Sequence, residues 1–447
     1  MMRWRRFWRM APAYLRSVAR REWQLGLLAL VGLAPGVGVL MAWLNLAVGV
    51  RDVPTEAFTQ GWLLPPLLLE AIGPAGVLVG AGVVTVLIGG LGLANAYLAS
   101  VERRQGELAL FLALGLNRWE LAAVLLLESL AAGVLGSGVG LILGVGISRL
   151  SWPAAVDYFG LAGAYALSPL AVGVAGLTGL LAGVMFMGIS VLAATGFSEA
   201  QTLRSTPRPI LAGMQALRTS VYGTIFAAVL TLVPALALLG GRAALALTAI
   251  ALGLSVLLTA AGWTVTRLTF LLPTPGHAPL WSLAVQGLAR HPRHTAGMSL
   301  ALITGAYSVG LAALAWLDSW QHSGVRSGFA FWVAGGVLTA GAGLVLTAAA
   351  LAAWERRQEY ALLVALGARP GRVRRLILLE YAIVALGAGS LGGIMALVNW
   401  AGSTRLETSW GNGWLAVGII LADLLGALLS AWVGAGPVWW RVGRGKR

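Results

Sequence analysis

The residues of this 447-residue chain best placed to do chemistry form one charged pattern, written twice. Glu102, Arg103, Arg104 and Glu107 lie in ERRQGE, and Glu355, Arg356, Arg357 and Glu359 lie in ERRQE. The chemistry such residues support is ion pairing. Guanidinium groups take carboxylates bidentately, and opposite charges in a fixed order set register more than raw affinity. A second set comprises three acids in apolar surroundings, Asp423, Glu128 and Glu380. Ionisable groups inside apolar spans are functional candidates. For Asp423 a packing or pairing role stands ahead of a proton or substrate role, and for Glu128 and Glu380 the simpler reading is anchoring to nearby arginines. Hydrolytic chemistry has no support, because no G-x-S-x-G, S-x-x-K or H-E-x-x-H occurs. His291 and His294 flank Pro292 without an acidic or cysteine companion, so no metal site is expected.

The elements that must carry these residues follow from composition. The chain is 58% hydrophobic and 11% charged, about half the charge of an ordinary soluble domain, which makes it a polytopic membrane protein with an all-α fold. With no cysteine there is neither a disulfide framework nor thiol chemistry. The N-terminal segment MMRWRRFWRMAPAYLRSVARREWQ is too long and too charged for a signal peptide, so the apolar run after it is expected to be retained. At about 20 apolar residues per crossing, ten spans are expected, near 26–50, 75–99, 122–148, 168–195, 222–241, 243–266, 297–317, 330–353, 376–400 and 412–436.

A net charge of +15 would suggest a nucleic-acid partner in a soluble protein. Here it is a topology signal. With the N-terminus inside, every basic residue except Arg51, Arg149, Arg242, Arg326 and Arg405 falls on a cytoplasmic segment, so both termini are expected in the cytoplasm. The longest outer segments, near 51–74 and 149–167, carry Trp62 and SWPAAVDYFG and read as interfacial stretches, which also makes Glu70 and Asp157 interfacial. Close helix contacts are expected at small residues: Gly136, Gly140 and Gly144 in the third span, and Gly389 and Gly393 in the ninth. The G-x-G-x-x-G at 387–392 follows no strand, so it is not a dinucleotide site.

The two charged copies belong to a longer repeat. Aligning Ala113-Leu114-Gly115 with Ala365-Leu366-Gly367 gives an offset of 252, which also pairs Glu128 with Glu380. Spans 1–4 then correspond to spans 7–10, and an even number of intervening spans makes the halves parallel. The domains expected are a first repeat over 1–200, a two-span connector over 201–276 and a second repeat over 277–447. Each charged copy reads as a short cytoplasmic helix, near 102–116 and 355–368. Gly115 and Gly367 suit the C′ position, Asn117 suits the N-cap of span 3, and Pro370 suits the first turn of span 9. Retaining topology needs basic charge but no particular acidic pattern, so two copies with matching acids call for a further role.

The pattern E-R-R-x-E-x-x-L-x-x-A-L-G, followed by a basic helix start and LLLE, resembles the FtsX-like permease domain of MacB/LolC-type ABC transporter membrane subunits. The likeness covers about three spans in each half, near 77–198 and 335–438. The segments YLRSVARREWQLGLL and GLARHPRHTAGMSL resemble the elbow helix before that family's first span, and ALRTSVYGTIF echoes it. Two such domains with two central spans resemble the ten-span subgroup, except that those relatives carry a large extracytoplasmic domain and this chain has none. The resemblance implies a multi-pass permease subunit of the bacterial inner membrane. Its coupling helices (Glu102, Arg103, Arg104, Glu107, Glu355, Arg356, Arg357, Glu359) would dock on a cytoplasmic ABC ATPase dimer.

The chain has no G-x-x-x-x-G-K-[ST], and its only lysine is Lys446, so ATP and Mg would sit on that partner and no cofactor on this chain. A lipophilic or amphipathic substrate such as a peptide or lipid is the expectation, with membrane lipid around the spans and a further membrane or extracytoplasmic subunit as a candidate partner. The alternatives are an ATP-independent secondary transporter or scramblase using Asp423, and a sensory or scaffold subunit.

Overall fold

A computed structural model describes residues 23–51, 66–103, 117–159, 164–195, 225–271, 279–290 and 365–403, with single positions 110, 161, 295, 299, 302, 303, 306, 307, 310, 362, 418, 421 and 425. Among the described residues every regular element is α-helical and no strand occurs. Four helical stretches are long and apolar enough to cross a membrane, Gly32–Val50, Trp119–Asp157, Pro169–Gly188 and Gly371–Val398. They coincide with the expected spans 1, 3, 4 and 9. The expected spans 330–353 and most of 412–436 lie outside the described residues, as does most of 297–317.

In chain order the helices are α1 (Trp23–Val50), α2 (Pro66–Arg103), α3 (Arg118–Phe159), α4 (Pro169–Thr195), α5 (Ile225–Leu238), α6 (Gly241–Leu271), α7 (Pro279–Arg290) and α8 (Pro370–Ser403). The span of α1 is 83% buried, against 33% for that of α3. α1 is therefore the central post of the first bundle, with α2, α3 and α4 packed around it. Leu33, Leu40, Trp43 and Leu44 form its core together with Val79, Val86, Phe186 and residues of α5 and α6. On the outside of this bundle α3 exposes Leu130, Val134, Leu135 and Ile142, as a helix facing lipid does. A second apolar cluster joins Ala284, Val285 and Leu288 of α7 to Leu302, Ile303 and Val373, Leu376, Ile377 and Val384 of α8. α6 packs against α2 of the first bundle and against α7 and α8 of the second.

Capping explains several boundaries. The Asn117 carbonyl accepts the first helical hydrogen bond of α3 from Leu121 N–H (3.0 Å), and the Asn117 N–H donates to Glu120 Oε2 (2.9 Å). Asn117 is thus the N-cap foreseen from the sequence, with Glu120 closing the reciprocal half of a capping box. Arg369 caps α8 through its carbonyl, and Pro370 occupies the first helical position as expected. Gly367 has φ 94, in keeping with its expected place at the end of a helix.

Two boundaries depart from expectation. The outer segment near 51–74 is helical from Pro66, and Gly73 (φ 66, ψ 175) separates a first short turn of α2 from its long arm. The segment near 149–167 does not leave α3 at Arg149. The helix runs on through Pro153 to Phe159, because Ala155 and Phe159 still find buried places against the bundle. A Leu161 N–H to Val156 carbonyl bond (3.2 Å) closes it. Most of the segment expected as the elbow before span 7 lies outside the described residues; α7, which ends at Arg290, buries Ala284, Val285 and Leu288 and leaves Leu283 exposed.

Candidate functional site

α2 delivers the first charged copy. The backbone at Glu102 and Arg103 continues α2 without interruption, so these two residues ride on the end of the second span itself. Arg104 and Glu107 lie outside the described residues, as do Glu355, Arg356, Arg357, Glu359 and Asp423. Leu110 is helical and exposed, and Leu362 and Leu366 near the second copy are exposed as well.

Less than two turns before Glu102, Tyr97 is fully buried. Its hydroxyl donates to the Leu125 carbonyl (3.1 Å) and lies 3.4 Å from Glu128 Oε2. Glu128 is itself buried, about 15 Å along α3 from its first residue. A tyrosine hydroxyl on α2 is thus one polar contact of this acid. Glu380 is buried at the matching depth of α8.

The glycine expectations can be read at atomic distances. Gly136, Gly140 and Gly144 are all buried. A Cβ added at Gly140 would lie 2.8 Å from the Ala34 carbonyl oxygen and 2.7 Å from Val37 Cβ, and one at Gly144 would lie 2.7 Å from the Gly38 carbonyl oxygen. α1 and α3 thus cross backbone to backbone. In the second bundle Gly389 and Gly393 are also buried. The close approach is recorded at Gly392, where a Cβ would lie 2.6 Å from the Ile303 carbonyl oxygen and 2.7 Å from Ala306 Cβ. Gly392 stands 252 residues after Gly140. In both places the glycine meets a carbonyl and, three residues on, a Cβ of an earlier stretch of the chain.

Sequence reasoning missed the polar clamp at the other end of α1. Asn45 is buried; its side-chain amide donates to Ser148 Oγ (2.9 Å) and to the Ala166 carbonyl (3.3 Å), and its Oδ1 accepts from the Ser168 N–H (2.8 Å). Ser168 in turn caps α4, with its Oγ 3.4 Å from the Ala171 N–H. Trp152 and Tyr165 meet edge to face, 5.7 Å between centroids, beside this clamp. A lone amide inside an apolar run was the available signal. Among the described residues no group of three His, Cys, Asp or Glu could hold a metal ion.

A family model described as the FtsX-like permease C-terminal domain matches residues 79–198, the stretch that forms most of α2, α3 and α4. Macrolide export ATP-binding/permease proteins MacB from Brucella abortus (strain 2308) and Wolinella succinogenes are each 32% identical over 104 residues. The alignment covers 23% of this chain and 15% of each relative. No solved structure matches. These matches support assignment to the FtsX-like ABC permease family, carried by the first half of the chain.

Proposed function

We propose that the chain is the membrane-spanning permease subunit of an ATP-driven ABC transporter, coupled to a separate cytoplasmic ATPase dimer through the charged segments at 102–116 and 355–368. The observation that carries this reading is the position of the first charged copy. It lies inside the matched region 79–198, at the end of α2, directly between a buried span and the capped start of α3. A push on such a segment reaches the bundle through α2, and the Tyr97 contacts to Leu125 and Glu128 hand it to α3.

The shared crossing at Gly140 and Gly392 supports a ten-span layout in two parallel halves over 1–200 and 277–447, joined by the connector 201–276. The contacts of α6 with both bundles suit that connector. The distribution of arginines favours cytoplasmic termini, and the likeness to FtsX-like permeases favours a bacterial-type inner membrane. ATP and Mg would be held by the partner. The substrate class proposed is lipophilic or amphipathic, a peptide or a lipid approached from within the bilayer, on account of the apolar outer segments. A further membrane or extracytoplasmic subunit would complete the assembly.

The test is co-purification with a co-expressed candidate ABC ATPase. Glu102→Lys with Glu107→Lys, and Glu355→Lys with Glu359→Lys, are expected to abolish complex formation and ATPase stimulation when combined. Survival of both activities in the fourfold variant would overturn the assignment.

A further inference from the structure

The start of α8 carries Arg369, Arg372, Arg374 and Arg375, all exposed. No acidic residue occupies the first turn, and Glu380, the next acid along the helix, is buried. Val373, Leu376 and Ile377 take the face buried with α7, so the arginines ring the rest of the circumference.

Orienting a span does not require such a collar. At the offset of 252 the same positions in α3 are Asn117, Glu120, Ala122 and Ala123, and that helix start is closed by its own Asn117–Glu120 capping box. Cations at a helix N-terminus also oppose the helix dipole. The second repeat thus holds four exposed guanidinium groups where their mutual repulsion and the dipole disfavour them. An external anion would relieve both.

The depth identifies the anion. From Leu376 to Val398 α8 is free of charge except for the buried Glu380, about 33 Å of helix, close to the roughly 30 Å of a hydrocarbon core. Arg372, Arg374 and Arg375 then fall in the layer of phosphate headgroups, where a soluble protein would have to enter the membrane surface to reach them. Exposed Leu362, Leu366 and Leu283 lie on the segments adjoining this ring in sequence or packing and suit the upper part of an acyl chain.

We infer that the arginine collar of α8 binds the phosphodiester headgroups of anionic phospholipid in the leaflet it enters. Bidentate guanidinium–phosphate pairing supplies the recognition. This goes beyond the transport reading and depends only on α8 crossing the bilayer, so either can fail without the other.

The experiment compares the full chain in nanodiscs of phosphatidylcholine with increasing phosphatidylglycerol, reading lipid retention by native mass spectrometry after release. Replacing Arg369, Arg372, Arg374 and Arg375 by Gln is expected to cut retained phosphatidylglycerol by roughly tenfold or more and to leave phosphatidylcholine unchanged. Arg118→Gln, at the start of α3, is expected to behave as wild type. The milder pair Arg374→Gln and Arg375→Gln gives a partial loss and serves if the fourfold variant is not recovered folded.

Retention equal to wild type in the folded collar variants overturns the inference. So does an equal loss in Arg118→Gln, which would mean a general charge effect. Full displacement by inorganic phosphate or glycerophosphoglycerol would assign a free-anion site instead. Unchanged lipid retention with loss of a co-purified ATPase would assign a protein docking surface.

Discussion

Gly140 approaches Ala34 so closely that a Cβ at residue 140 would stand 2.8 Å from the Ala34 carbonyl oxygen. Backbone pressed on a backbone carbonyl leaves no flexible side-chain end to yield, so α1 and α3 are held at a separation that only glycine permits. Gly140→Ala is expected to destabilise the bundle by about 1–3 kcal/mol, read as a lower midpoint of thermal unfolding in detergent. Gly138→Ala, on the same helix with nothing within 4 Å of the new methyl, is the control and should leave the midpoint unchanged or raised. Gly392→Ala is expected to repeat the loss in the second bundle.

The Asn45 clamp joins three helices with one side chain. Asn45→Leu removes the bonds to Ser148, Ala166 and Ser168 together, with an expected cost of about 1–2 kcal/mol by the usual worth of polar contacts between membrane helices. Ser148→Ala removes only one of them and should cost less. Equal losses for the two variants, measured by the same unfolding assay, would show that the Ala166 and Ser168 contacts together contribute nothing.

Tyr97→Phe keeps the ring in its buried place and deletes only the hydroxyl that meets Leu125 and Glu128. A stability loss of about 0.5–1.5 kcal/mol is expected from one buried hydrogen bond. Under the proposed function, ATPase stimulation by the subunit should fall further than stability does, since the hydroxyl lies between the charged end of α2 and α3. Stimulation at the wild-type level would remove Tyr97 from that path.

Gly73 offers a test of backbone alone. Its φ of 66 and ψ of 175 lie in a region that only glycine populates readily, and no atom lies within 4 Å of an added Cβ. Gly73→Ala is therefore expected to cost about 1–3 kcal/mol through conformation, without any clash. A neutral result would mean that α2 can straighten at this point.

How much was legible in the sequence depended on whether the deciding partner was local. Asn117, Pro370 and Gly367 sit where expected because capping is settled within a few residues of chain. Gly136, Gly140 and Gly144 are buried as foreseen because a run at spacing four stays on one helix face. In α8 the same spacing rule picked Gly389 and Gly393, which are buried, and Gly392 beside them meets Ile303 and Ala306 at close range. Asn45 and the Tyr97–Glu128 contact join residues far apart in the chain, and no local pattern announces such partners. The extension of α3 to Phe159 escaped for a related reason: its last turns look interfacial until the buried sites for Ala155 and Phe159 are known.

α3 is 42 residues long, about 63 Å of continuous helix. That exceeds the roughly 40–45 Å of a whole bilayer with its headgroups. The crossing at Gly140 falls near its middle, about 33 Å from one tip and 28 Å from the other. Tyr97 ties the same helix at Leu125 and Asn45 ties it again at Ser148, so it is fastened on both sides of that crossing. A displacement at the Asn117 end would therefore carry α1 and α2 along with α3 instead of tilting it alone, and spin labels on α1 and α3 should keep their separation while both move against α6.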